Sequence, residues 1–142
     1  MRFRVLILLG FLLLGSGSAL AQQKPADPIG DNLFPPEMVM QHQNALGLTE
    51  DQKNFLKAEM RKVQLQFTEL SWQLQDETEI MASLVKQDRV DEQQVLAQLD
   101  KLLNLEREIK RLHFSLIIRI KNRLTPEQQA QLMVLKNKNK EK

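Results

Sequence analysis

Two histidines, His42 and His113, are the only imidazole side chains in this 142-residue chain. If a long helical hairpin turns near residues 88–89, the numbers of two residues that face each other across it add up to about 177. His113 is then opposite Gln64 and one turn from Glu59. His42 precedes the first long helix and reaches the same end. Two imidazoles and a carboxylate would suit zinc, nickel or copper. The simpler interpretation of His113 is a core histidine hydrogen-bonded to a carboxylate.

The sequence lacks the residue sets of the common catalytic sites. It contains no cysteine, which excludes thiol catalysis, thiolate metal ligands and a disulfide framework. There is no glycine-rich phosphate loop and no Ser-His-Asp set with suitable spacing. Glu77 and Glu106 interrupt apolar patterns on two different helices, and register specification, or pairing with a basic residue such as Lys101, explains them better than acid–base chemistry. We expect neither an enzyme nor a required cofactor.

The first 21 residues have the pattern of a secretory signal peptide. Arg2 and Arg4 precede an apolar run at residues 5–14, and Ala19 and Ala21 supply the small residues of a cleavage site. This pattern predicts export with cleavage after Ala21. Retention as a membrane anchor is the alternative, although the apolar run is short for a bilayer span.

Charge gives little support for nucleic-acid binding. Without the two arginines of the signal, basic and acidic residues are equal in number, so the mature chain is formally neutral. The one basic cluster, residues 136–142, is interpreted as a solvated, frayed tail. We expect no nucleic-acid partner.

The remaining chain is predicted to be a short leader followed by one helical domain. Residues 22–34 are rich in Pro, Gly and Asp without periodicity, which predicts a flexible leader. Residues 35–135 form the domain. Its first helix is short: it starts at Pro35 and Pro36 and stops at Gly47, a residue that tolerates the left-handed conformation.

The domain is predicted to be all-α, with a long antiparallel helical hairpin between short N- and C-terminal helices. The first long helix starts at Thr49 and runs to about Lys86. After a turn at residues 87–90, the second runs from the capping residue Asp91 to Leu124. In both, apolar residues recur at alternating spacings of three and four over more than thirty residues, which predicts a heptad-like seam. With the helix that follows, the fold has four helices.

The two helix starts that flank the hairpin share a Leu-Thr-x-x-Gln pattern. Each is a capping segment, in which the Thr hydroxyl accepts from the Gln amide and the Gln side chain returns to the Thr amide. The six residues are Leu48, Thr49 and Gln52 in the first copy and Leu124, Thr125 and Gln128 in the second. The pair resembles the two LTxxQ motifs that mark the Spy/CpxP family, whose fold is a hairpin-based four-helix one. The resemblance covers residues 35–135.

The resemblance implies a periplasmic homodimer that acts as an ATP-independent chaperone or envelope stress-response binding protein. Its partners would be unfolded or misfolded envelope proteins, or a membrane-bound signalling protein. Members of the ZraP and CnrX kind imply the alternative of a heavy-metal sensor or resistance protein that binds zinc, nickel or copper. For a CnrX-like nickel or cobalt site the ligand set is incomplete, because no second histidine lies four residues from His42 and Ile117 stands where a methionine would follow His113.

Four apolar residues outside the seam are candidates for a client or dimer surface. Leu65 and Trp72 are seven apart on the back of the first long helix, and Phe114 and Ile118 are an i, i+4 pair on the outer side of the second. Their structural explanation is burial against the short helices or against a dimer partner. Their functional explanation is an exposed surface for unfolded chains.

Overall fold

The computed structural model describes residue 27 and residues 29–140, with side chains up to residue 138. This part of the chain contains four α-helices, one short 3-10 helix (Gly30–Asn32) and no strand, which confirms the predicted all-α class. The helices are α1 (Pro36–Gln41), α2 (Glu50–Val85), α3 (Glu92–Arg123) and α4 (Pro126–Lys140). No described helix is both long and apolar enough to cross a bilayer. The predicted signal peptide and its cleavage after Ala21 lie outside the described residues.

Local capping chemistry sets the start of each long helix. Thr49 Oγ1 accepts from the Gln52 amide at 3.2 Å, and Gln52 Oε1 accepts from the Thr49 amide at 3.0 Å, so the predicted capping box at α2 is present. Asp91 caps α3 by accepting from two backbone amides of the first turn. Gly47 takes the left-handed conformation, with φ +59°. The residues ahead of it form turns, so α1 ends at Gln41, earlier than predicted.

The two long helices form the predicted antiparallel hairpin. At 36 and 32 residues they are about 54 Å and 48 Å long. Two ion pairs connect facing positions: Arg119 Nη1 lies 2.9 Å from Glu59 Oε2, and Lys101 Nζ lies 3.6 Å from Glu77 Oε2. Both pairs agree with the predicted register, and in the second Glu77 takes Lys101, the basic residue named as an example of a partner.

The apolar core lies at one end of the hairpin. We call this end, which holds α1, α4 and the Arg123–Pro126 connection, the base, and the turn between α2 and α3 the tip. Among the described residues, no apolar side chain between residues 64 and 115 is buried. The buried apolar residues are Phe34, Val39, Leu46, Leu48, Leu56, Val63, Leu116, Ile120, Leu124 and Leu132. The seam between α2 and α3 is therefore only partly covered over the outer half of the hairpin.

Two predicted boundaries need correction, because both chain segments contact the base. Phe34, placed at the end of the flexible leader, is only 2% exposed and belongs to the core. Lys121 Nζ donates to the carbonyl of Asn32 at 2.7 Å. Lys136, assigned to the frayed tail 136–142, lies in α4. Its Nζ donates to the carbonyl of Leu33 at 2.9 Å and also to the carbonyl of Gly30. Long-range contacts thus order two segments whose local composition predicts no ordered structure.

Candidate functional site

A buried amide pair joins the two Leu-Thr-x-x-Gln segments at the base. Gln52 Nε2 donates to Gln128 Oε1 at 2.8 Å, and Gln128 Nε2 donates to Gln52 Oε1 at 3.1 Å. Each side-chain amide also donates to a backbone carbonyl next to the other segment. Gln52 Nε2 donates to Arg123 O at 2.9 Å, and Gln128 Nε2 donates to Leu46 O at 3.3 Å. The third and fourth helices are thereby tied to the start of α2, which the two capping boxes alone would not achieve.

The other positions of the repeated motif also have clear structural roles. Leu48 and Leu124 are each 5% exposed and lie in the core. Thr125 repeats the role of Thr49, since its amide donates to Gln128 Oε1 at 2.9 Å and its hydroxyl accepts from the Gln128 amide at 3.3 Å. The motif therefore builds the base of the fold, and none of its side chains is left free for chemistry.

His113 is exposed, in contrast to the predicted core histidine with a carboxylate partner. Its ring stacks on Phe67, with ring centroids 5.0 Å apart and an angle of 20° between the planes. The physical reason is the helical repeat: a straight helix of 3.6 residues per turn drifts away from a seam of period 3.5, so a position assigned to the seam can turn outward. Together with Met60 and Ile117, the stacked pair lines a cavity beside α1.

The three candidate metal ligands do not come together as one site. His42 is the C-cap of α1, and its Nε2 is buried without a hydrogen-bond partner. Glu59 Oε2 is buried 2.9 Å from Arg119 Nη1, close enough for an ion pair, although the geometry is not that of a hydrogen bond. Among the described residues, no three His, Cys, Asp or Glu side chains form a group that could hold a metal ion.

The four apolar residues singled out in the sequence are all exposed. Leu65 is 70% and Trp72 62% exposed on α2, while Phe114 and Ile118 on α3 are 44% and 40% exposed. Neither α1 nor α4 covers them, so burial against the protein's own short helices is excluded as their explanation. Burial against a second copy or against another chain remains as their structural explanation.

Leu65, Phe114 and Ile118 border a shallow groove along one face of the hairpin, which we call the open face, and Trp72 lies two turns beyond Leu65 on the same side of α2. A cavity of about 700 Å³ lies between Leu65 and Glu69 on α2 and Arg111 and Ser115 on α3. A second cavity, of about 470 Å³, adjoins it, since both are lined by Arg111 and Ser115, and it extends to Phe114 and Ile118. The open face therefore combines exposed apolar side chains with charged groups.

The basic residues of the open face were not singled out in the sequence. Lys110 and Arg111 line the second cavity together with Phe114 and Ile118. The signal was present, because Arg111, Phe114 and Ile118 follow one another at spacings of three and four, which places them on one side of a helix. The sequence pattern was interpreted as an apolar pair alone, without the charges beside it.

These features define the class of the protein: a helical hairpin closed at its base by paired capping boxes, with one apolar and charged face left open. Residues 4–131 match a family model described as heavy-metal resistance. Because the match spans most of the chain, the protein belongs to this heavy-metal resistance family, a part of the Spy/CpxP/ZraP-like group of helical proteins. Members are typically periplasmic. No curated protein and no solved structure gave a match.

Proposed function

We propose that the protein is a periplasmic, ATP-independent chaperone that holds unfolded envelope proteins on its open face. The observation that carries the proposal is the exposure of Leu65 and Trp72, at 70% and 62%, in a chain that has its own core elsewhere. Contiguous exposed apolar surface mostly marks an interaction site, since it would otherwise favour aggregation. Binding without chemical conversion is in keeping with this surface.

The shape and charge of the open face suit a changeable partner better than one fixed ligand. Its cavities are shallow, and apolar residues such as Leu65 and Phe114 alternate with basic and acidic ones. Unfolded chains expose apolar segments of many sequences, so a wide surface with weak, partly electrostatic contacts can hold them without a deep pocket. Release then needs no nucleotide, because each contact is weak.

The test is suppression of aggregation of an unfolded client by the purified protein from Gln22 to Lys142. We expect the double variant Leu65→Ser, Trp72→Ser to lose most of the suppression while keeping its helix content. The matched control is Val85→Ser, Val90→Ser, which removes two similarly exposed apolar residues at the tip. Equal loss in both variants, or no suppression by the unaltered protein, would refute a client surface at this place.

A metal-binding function is the second candidate, and one observation favours it. His42 Nε2 and Glu59 Oε2 are both buried and both lack a hydrogen-bond partner. Buried polar atoms are satisfied in most proteins, and an unsatisfied imidazole nitrogen is a ligand that zinc, nickel and copper accept. Because Glu59 Oε2 lies 2.9 Å from Arg119 Nη1, His42 Nε2 is the atom on which this candidate rests. A sensor would then transmit metal binding to a membrane partner through α1.

Isothermal titration with zinc, nickel and copper separates this candidate from the first. We expect binding, if this function holds, to be lost in His42→Ala. The matched control is His113→Ala, which removes the exposed, stacked imidazole. Binding of equal strength in the unaltered protein and in His42→Ala would refute a site at His42.

A further inference from the structure

All the sulfur in this chain is in methionine side chains, because the sequence contains six methionines and no cysteine. Five of the six lie in the described helices, namely Met38, Met40, Met60, Met81 and Met133. Each of the five is half-buried, so each is in contact with solvent and also packed against neighbouring side chains. Thioethers are readily oxidised to sulfoxides. The effect of an oxidant on this protein therefore depends on what each methionine packs against.

Met38 and Met40 help to hold α1 on the hairpin. α1 packs against both α2 and α3, and Val39, between the two methionines, is 0% exposed. Both methionines pack against the same core at the base. A helix of six residues is too short to be stable by itself, and no side chain of the described residues caps its start. The position of α1 therefore depends on its apolar contacts.

The cavity beside α1 gives small solutes a path to these contacts. It has a volume of about 480 Å³, and its lining joins Pro35 and Pro36, at the start of α1, to Met60 on α2. The core residues Val63 and Leu116 also line it. Solvent therefore reaches the edge of the contact between α1 and the hairpin.

We propose that Met38 and Met40 are a modification site for hydrogen peroxide, at which oxidation releases α1 from the core. The thioether sulfur attacks one peroxide oxygen, so that an S–O bond forms and the O–O bond breaks. The proton of the attacked oxygen passes to the departing hydroxide, which leaves as water. The sulfur is thus oxidised to a sulfoxide and the peroxide is reduced. A sulfoxide is polar and an apolar core offers it no hydrogen-bond donor, so the modified side chains favour water.

Release of α1 regulates the proposed chaperone function, on which this part of the inference rests. Among the described residues, the cavity beside α1 and the two cavities of the open face have no lining residue in common. Departure of α1 uncovers core side chains at its own place on the hairpin, among them Val63 and Leu116, which are 4% and 7% exposed in the folded chain. A second apolar surface is then available to unfolded clients. Enzymatic reduction of the sulfoxides returns α1 to the core.

Peroxide treatment followed by thermal unfolding and hydrogen exchange tests the modification site. Peptide mass spectrometry identifies the methionines that have gained an oxygen atom. We expect oxidation to lower the Tm of the unaltered protein by at least about 5 °C and to speed amide exchange in Pro36–Gln41. Met38→Leu, Met40→Leu is expected to keep slow exchange in α1 after the same treatment, because leucine has a similar volume and is not oxidised. The matched control Met81→Leu removes a half-buried methionine near the tip and leaves the protein as sensitive as before.

A variant that needs no oxidant tests the release separately. Met38→Gln, Met40→Gln places polar groups at the two positions, and we expect fast exchange in α1 while residues near Leu132 stay protected. Slow exchange in α1 in this variant, or after both methionines are oxidised, overturns the proposed release. Equal loss of Tm in the unaltered protein and in Met38→Leu, Met40→Leu overturns the assignment of the site to these two residues. Oxidation of Met81 without oxidation of Met38 and Met40 does the same.

Suppression of client aggregation by the oxidised protein tests the regulation. We expect roughly a twofold gain in suppression per chain, since a second apolar surface is added to the first. The variant Met38→Leu, Met40→Leu is expected to show no gain. Release of α1 with unchanged suppression overturns the regulation. Absence of suppression in every form refutes the chaperone function, while the exchange measurements still decide the modification site.

Discussion

The side-chain amides of Gln52 and Gln128 donate to each other across the base, at 2.8 Å and 3.1 Å, although 76 positions separate them in the chain. Both residues are only 8% exposed. Each amide also completes its own capping box, so one side chain serves its local helix start and a distant one together. Loss of either residue therefore affects both helix starts.

We predict that Gln52→Ala and Gln128→Ala each lower the free energy of unfolding by about 1–3 kcal/mol, because each leaves buried groups of the other amide unpaired. The double variant should lose less free energy of unfolding than the sum of the two single losses, since the second change removes groups that the first has already left without a partner. Urea unfolding measures all three. Gln64→Ala, an exposed glutamine on α2, serves as control with a change within about 0.5 kcal/mol. Strictly additive costs would contradict the coupling.

The outer half of the seam contains a polar contact with its own prediction. Gln98, 4% exposed, donates from Nε2 to Glu77 Oε2 at 2.6 Å and to Glu77 O at 2.8 Å. Glu77→Ala should cost about 1–3 kcal/mol by leaving the Gln98 amide poorly satisfied. Replacement of both residues by leucine should recover that loss, because an apolar pair suits the seam. Thermal unfolding checks this, with the exposed Glu79→Ala as control; no recovery in the double variant would argue against it.

Phe34 should be essential to the base although it precedes the first helix. Because its side chain is 2% exposed, Phe34→Ala should lower the free energy of unfolding by about 3–5 kcal/mol. Ile29→Ala, at a residue 61% exposed in the same segment, should change it by less than about 0.5 kcal/mol. Denaturant titration compares the two. Similar small effects would mean that the segment does not contribute to the core in solution.

Acid should weaken the two helix starts at the base. The hydrogen bond from Lys53 lowers the pKa of Glu50 below 4.5, and hydrogen bonds from its own backbone amide and from Thr125 lower the pKa of Glu127. A lowered folded-state pKa gives stability that is present above pH 4.5 and is lost as the pH falls through the lowered value. The variant Glu50→Gln, Glu127→Gln should therefore lose less stability than the unaltered protein between pH 7 and pH 3. Both side chains are fully exposed, so the difference should be small; an equal loss would contradict it.

Features that depend on neighbouring residues could be predicted from the sequence. The capping boxes at Thr49 and Thr125, the cap at Asp91 and the lengths of α2 and α3 follow from hydrogen bonds within one helical turn and from apolar spacing. The register follows from the short turn, and Lys101, named as an example of a basic partner, pairs with Glu77 in the structure.

Features that depend on distant contacts could not be predicted. Nothing near Phe34 or Lys136 in sequence indicates that they meet at the base, and the mutual bond of Gln52 and Gln128 required the position of α4. The exposure of His113 depends on how far the seam drifts along a real helix. For the candidate site, the sequence indicates the apolar residues, while Lys110 and Arg111 beside Phe114 and Ile118 were missed although their spacing carries the signal.

The concentration of the core at the base has a consequence for motion. Between residues 64 and 115 the described chain buries no apolar side chain, so opening of the tip breaks few favourable contacts. Amide protons should therefore exchange with solvent quickly near Val85 and Glu92 by sub-global opening, and slowly near Leu56 and Ile120 only by global unfolding. The hairpin would behave as two cooperative units of unequal stability joined by continuous helices: a base that opens only by global unfolding and a tip that opens readily.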